Sequence, residues 1–177
     1  QVTRWALALA PLVFVRPGEL RKAEWSEFDL DAGQWLIPAG RMKRRREHLI
    51  PLSRQAMAIL NEIQPLTGKG QYVFQGRNSA KRPLSENTIN AALRKMGFED
   101  DVMTGHGFRA TARTILDEVL GFRPDIIEHQ LSHMVKDPDG RAYNRTKHLE
   151  ERARMMQDWA DYLDRLRDGN VVQLRVA

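Results

Sequence analysis

The first fifteen residues contain the feature that most constrains the fold. Residues 3–15, TRWALALAPLVFV, are apolar on nearly every side, whereas a surface helix carries its apolar residues on one face. We therefore expect a buried helix with the other elements packed around it. Pro11 should bend this helix or end it early, because proline lacks the N–H that a helix interior requires. A chain of 177 residues, 42% of them hydrophobic, can close one such core but is too short for two ordinary domains.

The hydrophobic period then changes from helix to strand. A second short helix should begin at Arg16-Pro17-Gly18-Glu19-Leu20, since proline suits the first helical position and an acid in the first turn complements the helix dipole. Three short apolar or alternating segments follow at residues 25–30, 34–38 and 48–52. They are separated by a turn at residues 31–33 and by a basic segment, and this pattern predicts a small three-stranded antiparallel sheet.

The remainder of the chain has a helical period. We expect helices from Ser53 to Pro65 or Gly68, from a Ser85 cap to Gly97, at residues 107–120 and 124–132, and at about 148–167. Their apolar faces should contain Ala56, Leu60 and Ile63; Ile89, Leu93 and Met96; and, in the last helix, Leu149, Ala153, Met156, Ala160 and Leu163. The predicted class is α+β, a mainly helical single domain with one small sheet.

Charge and composition narrow the choice of partners. The net charge is +5, and between Arg41 and Arg54 six basic residues face one acid. This segment either binds a phosphate backbone or forms a solvated basic turn. The mean hydropathy is −0.53 and no apolar run reaches the ~18 residues of a membrane helix, so we expect no membrane partner. The absence of cysteine excludes disulfides and thiolate zinc sites and fits a cytoplasmic location.

Two clusters along the chain have the chemistry of phosphate sites. Arg16 stands at a predicted helix N-terminus, where exposed amides and a guanidinium together can bind an anion, with Glu19 holding the arginine. The alternative is a local surface ion pair of Arg16 and Glu19. In Thr104-Gly105-His106-Gly107-Phe108-Arg109, His106 and Arg109 share a helix face. A guanidinium can bridge two phosphate oxygens and a neighbouring imidazole can move a proton near neutral pH.

Two further residues lie near the end of these motifs. His133 and Tyr143 flank a segment that contains Pro138 and Gly140. A phenol on such a segment can reach a phosphate, although a single tyrosine is more often a packing residue.

Taken in order along the chain, these pieces resemble the signature of the tyrosine recombinases of the phage-integrase family. The resemblance extends from about Thr3 to Asp164, and Gly140-Arg141-Ala142-Tyr143-Asn144-Arg145 is most similar to integrases of prophages and genomic islands. It implies the catalytic-domain fold of a tyrosine recombinase. The matching residues are Arg16-Pro17-Gly18-Glu19-Leu20, Lys43 in the hairpin turn, His106-x-x-Arg109, Leu131-Ser132-His133, and Tyr143 ten residues later.

The resemblance implies an activity and a role for each residue. Tyr143 would attack a backbone phosphorus, leaving a 3′-phosphotyrosyl bond and a free 5′-hydroxyl. Because a 5′-hydroxyl from another strand can reverse this step, neither a nucleotide cofactor nor a metal is needed. Arg16 and Arg109 would neutralise the non-bridging oxygens in the pentavalent transition state. Glu19 would support Arg16.

Lys43 would protonate the departing 5′-oxygen. A one-residue shift of the alignment would select Arg44, but arginine, with a pKa above about 12, is a poor proton donor. His106 would assist deprotonation of the tyrosine or the reverse step, and His133 would form a hydrogen bond to the phosphate. The resemblance and the charge pattern together predict DNA contacts at Arg44, Arg45, Arg46, Lys81 and Arg82.

Three other sites can be excluded from their spacing. His129 and His133 have the i, i+4 spacing of a zinc pair, but Gln130 stands where a zinc hydrolase needs glutamate. In a calcium loop around residues 137–140, Val135 and Thr146 would occupy ligand positions. Gly68-Lys69-Gly70 lacks the upstream glycine and the hydroxyl of a P-loop. We predict no metal and no cofactor.

Two alternative functions remain open. A non-catalytic DNA-binding module explains the charge equally well, but it does not require the imidazoles or the phenol. A type IB topoisomerase uses related chemistry and would relax DNA without exchanging partners.

The resemblance also implies partners and a domain plan. The 177 residues would be one catalytic domain, without the amino-terminal core-binding and arm-binding domains of the family. Residues 148–177 would form a helix and a tail that pack in cis or dock on a neighbouring protomer. We expect double-stranded attachment-site DNA as the partner, with a homotetramer on DNA and a monomer or weak dimer alone. An excisionase and a host architectural protein are further expected partners, and the location would be the bacterial cytoplasm, at the nucleoid when DNA is bound.

Overall fold

The structure is a computed structural model that describes residues 2–133 and 148–169. Its helices are α1 (Val2–Val13), α2 (Pro17–Arg21), α3 (Arg54–Thr67), α4 (Thr88–Lys95), α5 (Gly107–Glu118), α6 (Pro124–Gln130) and α7 (Leu149–Arg167). Its strands are β1 (Phe28–Asp29), β2 (Gln34–Ile37), β3 (His48–Pro51), β4 (Gln75–Gly76) and β5 (Ser79–Pro83), with 3-10 turns at Trp25–Glu27 and Ala39–Arg41. The predicted α+β, mainly helical class is confirmed.

Helix α1 is the centre of the core, as its composition predicts. It contacts α2, α3, α4, α5 and α7, and Leu9 is fully buried. Pro11 lies inside α1, in the turn that ends the helix at Val13. Its carbonyl, which no longer has an intrahelical partner so near the end, accepts a hydrogen bond of 2.8 Å from Trp159 Nε1 of α7. The first and last helices are joined at this point.

The predicted three-stranded antiparallel sheet is present in the order β1-β2-β3. Phe28 pairs with Trp35, which pairs in turn with Ile50, and the rings of Phe28 and Trp35 stack with centroids 4.9 Å apart. Every residue of β3 is buried, because α7 covers one face of this strand. The first strand is shorter than predicted, since residues 25–27 form a 3-10 turn.

The structure corrects several predicted boundaries. Ser53 caps α3 as expected, with its hydroxyl accepting from the Ala56 N–H. Pro65 does not end the helix, which runs to Thr67, and the predicted end at Gly68 is confirmed, since Gly68 is the C-cap residue. The cap of α4 is Asn87 and not Ser85, because the Ser85 hydroxyl bonds to the Thr88 hydroxyl at 2.7 Å. Met96, predicted on the apolar face, is 61% exposed, since α4 ends before it.

A second sheet was not predicted. Strands β4 and β5 form an antiparallel hairpin. Its sequence, Gln75-Gly76-Arg77-Asn78-Ser79-Ala80-Lys81-Arg82-Pro83, lacks the alternation of apolar and polar residues that marks a half-buried strand. Main-chain hydrogen bonds hold the hairpin instead, and its tip is exposed.

Helix α7 packs in cis on α1, α5, α6 and β3. Its buried residues are Arg152, Met155, Met156, Trp159, Ala160 and Tyr162. The predicted stripe is therefore partly wrong: Met156 and Ala160 are buried, but Ala153 is exposed. The buried face of α7 also contains Arg152, which is fully buried. Because a charged residue is expected at the surface, the pattern of apolar residues did not identify this face. Docking of residues 148–177 on a neighbouring protomer stays a prediction.

No helix among the described residues is both long enough and apolar enough to span a membrane. Within residues 2–133 and 148–169 there is also no group of three or more potential metal ligands. His129, one half of the histidine pair discussed above, is buried, and residues 137–140 lie outside the described part of the chain.

Candidate active site

Arg16 lies at the corner between α1 and α2 and is held by Glu19. It is the N-cap residue of α2 with an extended backbone. One carboxylate oxygen of Glu19 accepts from the Arg16 backbone N–H at 2.8 Å and the other from Arg16 Nη1 at 2.8 Å. Glu19 is 6% exposed, so the pair is not the surface ion pair considered as the alternative. The guanidinium is fixed at the positive end of a helix dipole, where an anion would be stabilised.

Arg109 projects from α5 into the core and is only 5% exposed. Nη1 donates to the Phe14 carbonyl at 2.7 Å, and Nη2 donates to the Leu131 carbonyl at 2.8 Å. Burial and, to a smaller extent, the charge of Arg16 lower the pKa of Arg109 to about 10. The guanidinium therefore keeps its charge at neutral pH, and Arg16 is close enough to repel it.

His133 lies between Arg109 and a carboxylate. Its Nε2 is 3.2 Å from Arg109 Nη2, and its Nδ1 is 2.5 Å from an oxygen of Glu128. The other oxygen of Glu128 accepts from Arg113 Nε at 2.7 Å. The imidazole thus has a fixed orientation beside the buried guanidinium.

Strained backbone marks the same region. The non-glycine residues with positive φ among the described ones are Phe14 at 33°, Arg45 at 50°, Ser132 at 54° and His148 at 56°. Three of them lie within two residues of Arg16, Lys43 or His133. Such conformations cost on the order of 1–3 kcal/mol and cluster at functional sites. The strain at Phe14 accompanies a carbonyl that binds Arg109.

Lys43 is exposed in the turn between β2 and β3, and Arg41 ties this turn to α2. Arg41 Nη2 donates to the Glu19 carbonyl at 2.7 Å, and its Nη1 forms an ion pair with Glu27. Glu27 also accepts from Trp35 Nε1 at 2.9 Å. The base of the turn is therefore anchored to the residue that holds Arg16.

His106 is the exposed N-cap residue of α5. The preceding Gly105 donates its N–H to Asn90 Oδ1 at 2.9 Å. A Cβ on Gly105 would lie 3.1 Å from Ile89 Cγ2 and 3.5 Å from Pro17 Cγ. Only glycine fits this approach easily, and it brings the loop beside the α1–α2 corner. The structure thus gathers Arg16, Glu19, Arg109 and His133, sets His106 and the turn of Lys43 at their border, and leaves Tyr143 outside the described residues.

Comparisons with known proteins show the family to which the chain is similar. The family model described as "Phage integrase family" matches residues 2–150. The chain is 46% identical to an integrase of Enterobacteria phage P4 over 92% of its length, and 44% identical to the prophage integrase IntA of Escherichia coli K12 over 91%.

The chain belongs to the phage integrase family. It spans 40% and 38% of the lengths of these two relatives. Its fold is similar to that of a lambda integrase dimer bound to a COC' core site, with a TM-score of 0.59, 21% identity, and coverage of 81% of this chain and 44% of that one. The predicted fold of the phage integrase family is thus confirmed.

The residues predicted to contact DNA lie on two exposed segments of this phage integrase domain. Arg44, Arg45 and Arg46 are exposed beside Lys43, and Lys81 and Arg82 are exposed on β5. Arg82 also lines a groove of about 970 Å³ between the β4–β5 hairpin and α4. Arg77 and Lys95, which were not among the predicted DNA contacts, line the same groove.

Four further site residues were missed. Glu128 and Arg113 orient His133, and Glu27 and Arg41 anchor the basic turn. A sequence signal existed for one of them, since Arg113 follows Arg109 by four positions and so shares its helix face. The contacts of the other three named above join residues 5 to 22 positions apart in the sequence, and no spacing rule identifies them.

Proposed function

We propose that this domain cleaves and rejoins DNA at specific sites through a 3′-phosphotyrosyl bond to Tyr143, during integration and excision of a prophage or genomic island. The observation that supports it best is the meeting of Arg16, Arg109 and His133 at one corner. Both guanidiniums are held in place before any ligand is bound. The names of the relatives, an integrase and a prophage integrase, point to the same activity.

The two arginines are suited to a phosphate whose charge is increasing. A guanidinium has five N–H groups, and the contacts of Arg109 with Phe14, Leu131 and His133 use three of them. Two remain for non-bridging oxygens. Preorganised donors of this kind stabilise the pentavalent transition state without rearrangement, and this electrostatic effect is usually the largest one in such sites.

The proposed cleavage step is balanced without a metal or a nucleotide. The Tyr143 oxygen forms a bond to phosphorus as the bond from phosphorus to the 5′-oxygen breaks. The phenol proton passes to His106, and Lys43 supplies a proton to the departing 5′-oxygen. Rejoining reverses each transfer, with a 5′-hydroxyl attacking the phosphotyrosyl bond.

DNA is the proposed partner. The exposed basic turn and hairpin supply cations for backbone phosphates, and the lambda integrase to which the fold is similar was solved on a core site. The same proposal includes the assembly of four protomers on DNA and a monomer or weak dimer in its absence. It also includes an excisionase and a host architectural protein as partners, and a cytoplasmic location at the nucleoid.

A covalent trap tests the activity without knowledge of the attachment site. The protein is incubated with a pool of nicked duplexes whose core sequence is randomised, and DNA that stays attached after denaturation is digested to nucleotides. Mass spectrometry should find a nucleotide 3′-phosphate on the peptide that contains Tyr143. Tyr143→Phe should remove this adduct and leave DNA affinity nearly unchanged.

The other two tyrosines provide the control. Tyr162 is 5% exposed and stacks on Trp159, so the half-buried Tyr72 is the more accessible control. Tyr72→Phe should keep the adduct. An adduct that survives Tyr143→Phe, or a wild-type protein that binds the pool without becoming attached, would contradict the proposal. The second outcome would favour a non-catalytic DNA-binding module, and relaxation of supercoiled DNA without strand exchange would favour a topoisomerase.

A further inference from the structure

The Glu128 carboxylate connects two side chains on opposite sides. One oxygen contacts His133 Nδ1 at 2.5 Å and the other accepts from Arg113 Nε at 2.7 Å. Arg113 lies one turn after Arg109 on α5. Helix α5 thus supplies both ends of a continuous series of contacts, Arg113–Glu128–His133–Arg109. Helix α6 supplies Glu128, and His133 lies three residues after the end of α6.

These contacts determine the protonation of the imidazole. A carboxylate only accepts hydrogen bonds, so the nitrogen that faces Glu128, Nδ1, carries the proton. A guanidinium only donates, so Nε2, 3.2 Å from Arg109, presents its lone pair. Both neighbours therefore select the same neutral form, with the proton on Nδ1 and with Nε2 facing the Arg109 guanidinium.

Glu128 is itself held in the charged form. Partial burial raises the pKa of its carboxyl, but the hydrogen bonds from His133 and Arg113 outweigh this effect and lower it overall. Its two oxygens each have a partner, which restricts rotation of the side chain. The backbone adds a further restraint, because the His133 N–H donates to the Glu128 carbonyl at 2.9 Å.

We propose that Glu128 is a positioning residue for His133: it keeps the proton on Nδ1, so that Nε2 accepts from Arg109 and holds the guanidinium that would bind the phosphate. The role in catalysis rests on the function proposed above. The role of Glu128 in fixing the His133 ring does not depend on that function, since it concerns the protein without DNA. Arg113 acts one step further away, by keeping the Glu128 carboxylate in place.

The first test measures the ring directly. In protein labelled with ¹⁵N-histidine, the ring nitrogen shifts report which nitrogen carries the proton for each of the five histidines; His133 is assigned by the signals lost in His133→Asn. The wild type should show neutral His133 protonated on Nδ1. In Glu128→Ala the Nε2-protonated form should appear as well, while the exposed control Glu118→Ala should match the wild type. An unchanged tautomer in Glu128→Ala would overturn the proposal.

The second test measures the coupling of the two residues. Glu128→Ala should slow formation of the covalent adduct with the nicked pool by about 10- to 100-fold, the range found when a carboxylate that orients a metal-binding histidine is lost. In a His133→Asn background it should cause no further loss, because a positioning residue acts through the group that it positions. Equal losses in both backgrounds would instead indicate a general structural role and would contradict the proposal.

The two tests separate the two proposals. If the wild-type protein forms no adduct with the pool, the proposed function fails, and the tautomer measurement still decides whether Glu128 orients His133. If the adduct forms and the tautomer is insensitive to Glu128, the function stands and the inference about Glu128 is wrong.

Discussion

Glu27→Gln should destabilise the domain much more than the loss of an ordinary ion pair. Its carboxylate, in a side chain only 5% exposed, pairs with Arg41 and accepts from Trp35 Nε1. Glutamine keeps the shape and can still accept from the indole, but it leaves the Arg41 charge uncompensated. Breaking one side of a buried pair costs about 3–5 kcal/mol. Because the Arg41 side chain keeps 17% exposure, we expect the lower end, about 3 kcal/mol.

Urea and thermal unfolding measure this effect. For a domain of this size a loss of 1 kcal/mol lowers Tm by about 2–4 °C, so Glu27→Gln should lower it by about 6–12 °C. The matched control is Glu62→Gln, which breaks a pair with Arg4 at 3.6 Å whose side chains are 55% and 80% exposed. That change should cost less than about 0.5 kcal/mol. If the two variants lose the same stability, the reasoning from burial is refuted. Arg41→Gln in the Glu27→Gln background should recover part of the loss, since no unpaired charge then remains.

Three further changes test other parts of the structure. Ser132→Gly should raise the free energy of unfolding by about 0.5–1 kcal/mol in urea titrations, because glycine adopts the positive φ of 54° without strain; a decrease would show that the hydroxyl matters more than the backbone. Burial lowers the pKa of His48 from 6.5 to about 3, so only the unfolded chain takes up this proton between those values. Stability should therefore fall as the pH drops below 6.5, by about 1.4 kcal/mol per pH unit from this residue, and His48→Gln should flatten the curve of unfolding free energy against pH by that amount. Arg109→Lys should cost about 1–3 kcal/mol, since an ammonium cannot easily reach both the Phe14 and Leu131 carbonyls; a Tm equal to that of the wild type would contradict these bonds.

The sequence predicted those elements in which local chemistry and burial agree. The sequence signals of these elements, the apolar run of α1, the Ser53 cap and the short apolar segment of β2, are each compatible with one local structure. The β4–β5 hairpin was not predicted because main-chain pairing, and not a side-chain pattern, defines these two strands. The prediction of the buried face of α7 was partly wrong because Arg152 is fully buried. Its guanidinium donates to Gln130 Oε1 at 2.9 Å and to the Leu49 carbonyl.

The site divides in the same way. The order of motifs along the chain selects Arg16, Arg109 and His133, and the structure brings these three together. The order of motifs does not select Glu128, since a carboxylate five residues before a histidine has no distinctive spacing. Its role depends on the packing of α5 against α6, which brings Arg113 to it across 15 positions of sequence.

The two arginines of the site stand in opposite electrostatic surroundings. Arg16 lies at the positive end of α2 and is balanced by a full carboxylate charge from Glu19. Arg109 instead donates to the carbonyls of Phe14 and Leu131, which directly follow α1 and α6 and so lie at the negative ends of their dipoles. The partial negative charges of these two carbonyls satisfy the hydrogen bonds of Arg109 but do not neutralise its full positive charge. Of the two, Arg109 therefore has more to gain from a phosphate, and its bonds to two helix ends keep it in position until one arrives.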